Sequence, residues 1–360
     1  MLKVFGCWHD EGRLYYSRKN WATWSYFARE SVGRFQDIEN RSGGVKFHVS
    51  CGYLGVAGPK YQGYDDWCRA TDTMVEQHGA RLIMAEEIPT VFPFMQLPPS
   101  SRGCYEVAGG GAGYLSPRKL VQAQQMIARV QGCDIIPDLA MQLDRVGGCW
   151  RILTQGGGWY SASKIVLCQG TYTGLQFLAR NILPPLDITY TAQTTALIEV
   201  DTEEAERLHT MPAMVVQVEP VKYTYILPPI KYPNKKIYLK FGAHDLDREL
   251  RTQAEVTTHY RAGPDPAHVN KLVREATTLL PGLAVKSVVG DSCVTSNTPG
   301  KVAPFIDSPV GGLVVAGGGC GHGAMGSDEI GRVAAVLAIE GRWDCAVSQK
   351  LCRIRYKNKL

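Results

Sequence analysis

The most informative alternation of apolar and polar positions lies between Gly312 and Gly341. The run Leu313-Val314-Val315-Ala316 predicts a strand buried on both faces. Three glycines and Cys320-Gly321-His322-Gly323 follow it. A helix is then predicted from near Ser327, with Ile330, Val333, Ala334, Leu337 and Ala338 on one face and Gly341 as its stop. A strand, a glycine loop and a helix N-terminus together suit an anionic or electron-rich group. Backbone N–H groups can approach it closely, and the helix dipole favours negative charge. An ordinary tight turn carries the same pattern.

Along the rest of the chain, residues 9–19 read as a polar and aromatic loop. A helix is predicted from Asn20, where Trp21, Trp24, Ala28, Val32, Phe35 and Ile38 recur at helical spacing as a core stripe. Val45–Val56 reads as two short strands about Cys51-Gly52, Tyr64–His78 as a helix and Ala80–Ala85 as a short apolar run. The prolines and glycines of 88–113 predict a long loop or crossover. Within it, Gly109-Gly110-Gly111-Ala112-Gly113 is rejected as a dinucleotide fingerprint, because the spacing next requires glycine where Tyr114 stands and no apolar strand precedes it.

Ser116 is a predicted N-cap with Pro117 at N1. Leu120, Ala123, Ile127 and Val130 face inward, and Gly132 stops the helix. Cys133–Ile136, Trp150–Thr154 and Ile165–Cys168 read as strands. Alternation in Thr194–Val200, Met214–Val218, Tyr223–Leu227 and Lys236–Phe241 predicts a mostly antiparallel sheet, and Asp265–Leu280 supplies one helix. The fold class is α/β with α+β admixture, and a second domain is inserted into the first.

Composition narrows the function. The chain has 360 residues, 45% of them hydrophobic and 20% charged, enough for one large domain or two modest ones. The net charge is +5, and no Lys/Arg cluster interleaves with aromatics, which argues against nucleic acid. The apolar runs fall short of a membrane span, and the first residues do not resemble a signal peptide. Eleven scattered cysteines without a C-x-x-C pair imply reduced thiols in an intracellular protein, and eight dispersed histidines imply no bound metal.

Three spots combine reactive groups with structural punctuation. Lys240-Phe241-Gly242-Ala243-His244 places an amine and an imidazole near one strand end, where they could polarise a reacting centre; a surface cation beside a turn histidine reads the same way. Cys293 lies in the polar segment Asp291–Pro299, where a thiolate could form, although most single cysteines are inert. The third spot is the loop Gly317–Gly323.

Taken in order, K-x-G-x-H, C-x-x-x-N-T-P followed by Pro304-Phe305-Ile306-Asp307, and A-G-G-x-x-G-H-G resemble the monomeric sarcosine oxidase family. This is a group of FAD-dependent amine oxidoreductases of the DAO type that includes N-methyltryptophan and pipecolate oxidases. His9-Asp10-Glu11-Gly12-Arg13 resembles its first flavin-side loop. Gly113–Arg118 resembles the approach to its middle helix, and Ile165–Gly170 its apolar strand with a flavin-contacting glycine. The resemblance spans nearly the whole chain.

It implies an FAD-binding, three-layer Rossmann-like domain (1–60, 114–180 and 291–345), an antiparallel substrate domain (61–113 and 181–290) and a basic tail over 346–360. Cys293 would bond covalently to the flavin. Lys240 would promote reaction of reduced flavin with oxygen, His244 would sit near the substrate, and Arg13 would lie beside the flavin. Gly319, Gly321, His322 and Gly323 would line the pyrimidine edge. The implied reaction oxidises the C–N bond of a secondary or N-methyl amine with O2, giving imine and hydrogen peroxide. The implied partners are a small amine and oxygen, and the implied state is a monomer.

Two departures follow from the family pattern. Its carboxylate-holding arginine and lysine are replaced here by Tyr16 and Met325, which removes the charge-assisted pairing of an amino-acid substrate and favours a neutral or differently anchored amine. The family also opens with a strand, a G-x-G-x-x-G turn and a helix for the ADP half of FAD, and this chain opens beyond that unit. The sequence is therefore expected to be an incomplete gene model or fragment, or else a non-catalytic remnant of the fold. The ending Asn358-Lys359-Leu360 is one residue from the S-K-L peroxisomal address, which leaves a cytoplasmic or a peroxisomal location.

Overall fold

The apolar run at 313–316 forms the central strand, Leu313–Gly317, of a three-stranded sheet. It pairs in parallel with Ile165–Leu167 and antiparallel with Phe305–Val310. The computed structural model describes residues 6–16, 22–175, 178–219, 223–243 and 248–357. Alternate side chains of the central strand serve two layers, as a doubly buried strand requires. Leu313 and Val315 pack with Leu143 and Trp150 of the meander Ala140–Val146, Cys149–Thr154 and Trp159–Ala162. Val314 and Ala316 pack with Val333, Ala334 and Leu337 of the helix Gly323–Glu340. Helix, sheet and meander are the three layers of a Rossmann-like arrangement.

That helix opens at Gly323, four residues before the predicted Ser327. Its Gly-Ala-Met-Gly start has poor helix propensity, and tertiary contact decides instead. A Cβ on Gly326 would lie 2.8 Å from Phe27 Cβ, so glycine lets this helix approach the helix Ala22–Arg41 closely. The predicted cap Asn20 and stripe residue Trp21 lie outside the described residues. Trp24, Ala28, Phe35 and Ile38 are buried as predicted.

A nine-stranded sheet carries the remaining core. Its order is Arg248–Leu250, Thr189–Val200, Ile237–Ala243, Thr224–Lys231, Ala213–Gln217, Tyr53–Ala57, Arg102–Glu106 and Arg81–Met84, with Ser287–Asn297 also paired to Thr189–Val200. Pairing is antiparallel except between Ala213–Gln217 and Tyr53–Ala57. Arg102–Glu106 corrects the expected loop over 88–113. Gly103 disguised it; a Cβ there would stand 3.1 Å from Leu54 Cδ1 and 3.3 Å from the Ile83 carbonyl, so glycine relieves a crowded contact inside the strand. Ser287–Asn297 is an eleven-residue strand where the sequence suggested only a polar segment from Asp291. A second helix, Gln253–Ala262, precedes Pro266–Leu279.

Two further expectations are overturned. Cys133–Ile136 is not a strand, and the strand begins instead at Ala140, in a segment of which only Leu143 is buried, too weak a periodicity to read. Val130 is 85% exposed rather than inward, because the apolar stripe outruns the surface it covers. No described helix is long and apolar enough to cross a membrane. Asn358, Lys359 and Leu360 lie outside the described residues.

Residues 9–19, expected as loop, contain the short strand Arg13–Tyr15, which pairs with Gly113–Leu115. This segment docks on the N-terminus of the helix Pro117–Val130. Ser116 Oγ accepts from Lys119 N at 3.2 Å, as an N-cap should, and donates to Glu11 Oε2 at 2.8 Å. Arg118 Nε completes the grip on Glu11 Oε1 at 2.6 Å. Ser116→Ala removes the cap and one partner of a buried carboxylate. A stability loss of about 1–2 kcal/mol is expected by urea unfolding; a loss below ~0.3 kcal/mol would show that the docking contributes nothing.

Candidate functional site

Asp10 lies at the centre of the site. It is 2% exposed, and its Oδ2 is shared by the Arg13 guanidinium and the Lys240 ammonium. Lys240 is fully buried on Ile237–Ala243, where it also donates to the Gly12 carbonyl at 3.3 Å and lies 5.8 Å from the centre of the Tyr225 ring. Asp10 Oδ1 accepts from Glu11 N at 2.8 Å and Tyr232 Oη at 3.0 Å. Burial alone would raise the Asp10 pKa. The charges of Arg13 and then Lys240, with their hydrogen bonds and that of Tyr232, more than reverse this and hold the carboxyl well below the usual carboxylate range. The Tyr232 hydroxyl is pushed the other way, by burial and by the Asp10 charge.

Arg13 links this nest to a pair of thiols. Its Nη2 lies 3.5 Å from Cys293 Sγ and 3.2 Å from the Cys7 carbonyl, and the two sulfurs are 3.2 Å apart, unbonded. Cys293 stands on Ser287–Asn297, opposite Gln193. The thiol–thiol hydrogen bond draws the Cys7 pKa well below its ordinary value, against burial and with help from Arg13. The same contact, with burial, pushes Cys293 up. The pair therefore loses one proton early and the other late, with Arg13 as the counter-ion of the first thiolate.

The glycine loop closes the other side. Cys320 N donates to the Ser296 carbonyl at 2.8 Å, tying the loop to the strand that carries Cys293. Gly318 (φ 77°) and Gly321 (φ 82°) turn the chain into the helix at Gly323. The helix start has neither a side-chain cap nor an acidic residue, and a Cβ on Gly323 would meet open space. Gly170 opens a short 3-10 turn, Gly170–Tyr172, with φ 57° and open space beside it. The spacing G-x-G-x-x-G does occur in the chain, as Gly321-His322-Gly323-Ala324-Met325-Gly326. Its first glycine lies four residues past the strand, so it does not form the tight strand-to-helix turn of a dinucleotide fingerprint.

Tyr16, His322 and Met325 do not join the Lys240 nest. They line a neighbouring cleft of about 210 Å³ with Tyr53, Tyr61, Trp67 and Tyr223. Tyr16 and Tyr53 stack at 4.5 Å between ring centres and 15° between planes, and Trp24 packs on His322 at 5.3 Å. Tyr225 belongs to the same apolar cluster as Tyr16, Tyr53 and Tyr223, so it forms the partition between cleft and nest. His244 lies outside the described residues.

Sequence reasoning missed Asp10, Cys7, Tyr232 and the cleft aromatics Tyr53, Tyr61, Trp67 and Tyr223 as site residues. Only Asp10 carried a signal, an acid placed three residues before Arg13. The residues fit the ring of a flavin. An uncapped helix start and open glycines offer N–H donors to an electron-withdrawing edge, while Lys240 and Arg13 supply positive charge on the side of Cys293.

Replacing Asp10 by Asn would leave two buried cations facing each other, at a cost of about 3–5 kcal/mol near neutral pH. Because the native Asp10 pKa is depressed, its contribution is complete above the unfolded carboxylate value near ~3.9 and is lost as pH falls toward the native value. The gap between wild type and D10N in urea unfolding should therefore be widest at pH 6–7 and narrow below about pH 4; a gap that is constant with pH would exclude the shared carboxylate as its source.

Comparison with known proteins comes to the same chemistry. The family described as "DAO: FAD dependent oxidoreductase" matches residues 5–337. Monomeric sarcosine oxidase of Arthrobacter sp. (strain TE1826) is 22% identical over 306 residues, covering 84% of this chain and 75% of its own. Among solved structures, NikD, described as an unusual amino acid oxidase, superposes with a TM-score of 0.77 at 17% identity, covering 97% of this chain and 87% of its own. Amadoriase I of Aspergillus fumigatus, a fructosyl amine:oxygen oxidoreductase, gives 0.71 at 18% identity and covers 96% and 80% of the two chains.

Proposed function

We propose that this chain, which belongs to the DAO family of FAD dependent oxidoreductases, oxidises the C–N bond of a secondary or N-methyl amine with O2, giving an imine and hydrogen peroxide. The observation that carries this reading is the buried Lys240–Asp10–Arg13 nest beside Cys293 and the open glycine loop. The named activities of the relatives, sarcosine oxidase and a fructosyl amine:oxygen oxidoreductase, support an amine and oxygen as co-substrates.

FAD, when bound, would accept a hydride equivalent from the carbon beside the amine nitrogen and deliver the electrons to O2. The chain's own residues set the conditions for that exchange. Lys240, fully buried and fixed by Asp10, holds a positive charge where a reduced, anionic oxygen species would form, which lowers the cost of the first electron transfer. Arg13 serves both Asp10 and Cys293 and is the counter-ion of the Cys7–Cys293 pair, in which Cys7 is the thiolate that would take the Cys293 proton as Cys293 attaches to the cofactor. Gly319, Gly321, His322 and Gly323 would present the helix N-terminus to the pyrimidine edge, and Gly170 would face the ring system. In this reading the glycine loop and helix of the three-layer part hold the pyrimidine edge, and the nine-stranded sheet brings Cys293 and Lys240 to the same cofactor.

The test is an absorption spectrum of the protein supplied with FAD, before and after acid precipitation. Flavin bands that stay with the pellet are expected, and Cys293→Ser should release them to the supernatant. Lys240→Met should still be bleached by substrate amine without air, but should recover its colour on the order of 10²-fold more slowly when oxygen is admitted. A protein that binds no flavin under these conditions would overturn the proposal.

A further inference from the structure

The thiol pair supports a conclusion of its own, because the fold brings two distant cysteines to hydrogen-bond distance beside a fixed cation. Cys293 Sγ lies 3.2 Å from Cys7 Sγ, and Cys7 Sγ is also 3.3 Å from the Tyr260 hydroxyl and 3.3 Å from the Val294 carbonyl. Arg13 Nη2 stands 3.5 Å from Cys293 Sγ and donates to the Cys7 carbonyl at 3.2 Å, so one guanidinium holds both cysteines. The turn Cys7–His9 and the strand Ser287–Asn297 meet a second time through His9, whose Nε2 is 3.3 Å from Asp291 Oδ1. Cys293 itself sits in a ladder with Thr189–Val200. The fold therefore sets the approach of the two sulfurs.

The two thiols are not equivalent. The hydrogen bond from Cys293, with the Arg13 charge behind it, draws the Cys7 pKa down against burial. Burial pushes the thiols of Cys51, Cys168, Cys320, Cys345 and Cys352 up instead. The thiolate is the nucleophilic form of cysteine, so Cys7 is the reactive member of the pair. Both cysteines are free and half-buried, within reach of a small solute. A disulfide is about 2.05 Å long, so closing this one needs an approach of roughly 1 Å. The three-residue turn that carries Cys7 has no buried residue and can supply that movement.

We propose that Cys7 and Cys293 form a peroxide-reactive dithiol, in which Cys7 is the attacking thiolate and Cys293 the resolving thiol. The Cys7 sulfur bonds to one oxygen of hydrogen peroxide as the O–O bond breaks. The other oxygen leaves as hydroxide and becomes water with the proton that Cys7 released. The Cys293 sulfur then attacks the sulfenic sulfur, the S–O bond breaks, and hydroxide leaves as water with the Cys293 proton. Two thiols lose two electrons, and the peroxide is reduced to two waters. The disulfide uses the sulfur that the function proposed above gives to the cofactor bond, and this competition alone rests on that reading. Peroxide is also the product of that reaction. A chain not yet joined to flavin would therefore lose its attachment point until a thiol reductant restores it.

The experiment treats the reduced protein with hydrogen peroxide before FAD is supplied, blocks the remaining thiols and maps the peptides without reductant. A Cys7–Cys293 link that dithiothreitol cleaves should form about tenfold faster than the exposed Cys133, Cys149 and Cys168 are oxidised. Cys293→Ala should stop at a Cys7 sulfenic acid that dimedone labels, and Cys7→Ala should leave Cys293 as slow as the exposed thiols. Peroxide given before FAD should abolish acid-stable flavin, and dithiothreitol should restore it. Wild-type Cys7 oxidised no faster than the three exposed cysteines would overturn the proposal without recourse to any variant. Rapid oxidation of Cys293 in Cys7→Ala would overturn the assignment of roles. The two readings fail separately. A peroxide-formed link in a protein that attaches no flavin when reduced counts against the covalent flavin alone, and acid-stable flavin unaffected by prior peroxide counts against the dithiol alone.

Discussion

The structure depends on one buried carboxylate serving two buried cations. Asp10 comes from the first described turn, Arg13 from the strand after it, and Lys240 from the middle of the nine-stranded sheet. A lone ammonium in that position would be driven neutral or would draw in water, because burying an unpaired charge costs several kcal/mol. With Asp10 in place, the Lys240 amine has an ion-pair partner at 0% exposure, and the loop that supplies Asp10 is pinned against the sheet. The Glu11 docking on the Ser116 cap then fixes the same loop from its other side. A chemical requirement, a charge kept away from solvent, becomes a tertiary restraint.

The chain legibly announced the elements that local rules control. The strand at 313–316, the Ser116-Pro117 cap and the helix over Tyr64–His78 each have strong local signals, and each stands where it was read. Signals failed where tertiary contact overrode composition. Gly103 and Gly326 look like breakers in sequence, but they sit inside a strand and a helix, where a neighbour crowds the first and approaches the second to 2.8 Å, too closely for a Cβ without a shift. Ala140–Val146 has only one buried position, so its alternation was invisible.

The site divided in the same way. Lys240, Cys293 and the loop over 317–323 were legible because short motifs carry them, and Arg13 because of its neighbours. Pairings were not legible. Asp10 and Lys240 lie 230 positions apart, as do Cys7 and Cys293 at 286, and no periodicity links such partners. The aromatic cleft is the extreme case. Tyr16, Trp24, Tyr53, Tyr61, Trp67 and Tyr223 come from separated segments, and Trp24 was read as plain core. It is core, at 2% exposure, and its ring also braces His322 at the cleft wall.

The Lys240 and Arg13 cations are thus gathered, with Asp10, on one side of Tyr225. On the nest side, two cations and a carboxylate are buried with a thiol pair that can share one negative charge. On the cleft side, the described polar lining is hydroxyl, amide, imidazole and the Asp66 carboxylate among aromatic side chains. Tyr225 belongs to the apolar cluster of Tyr16 and Tyr53, and its ring centre lies 5.8 Å from the Lys240 ammonium. Burial pushes its hydroxyl up, so this side of the nest is walled by a neutral ring.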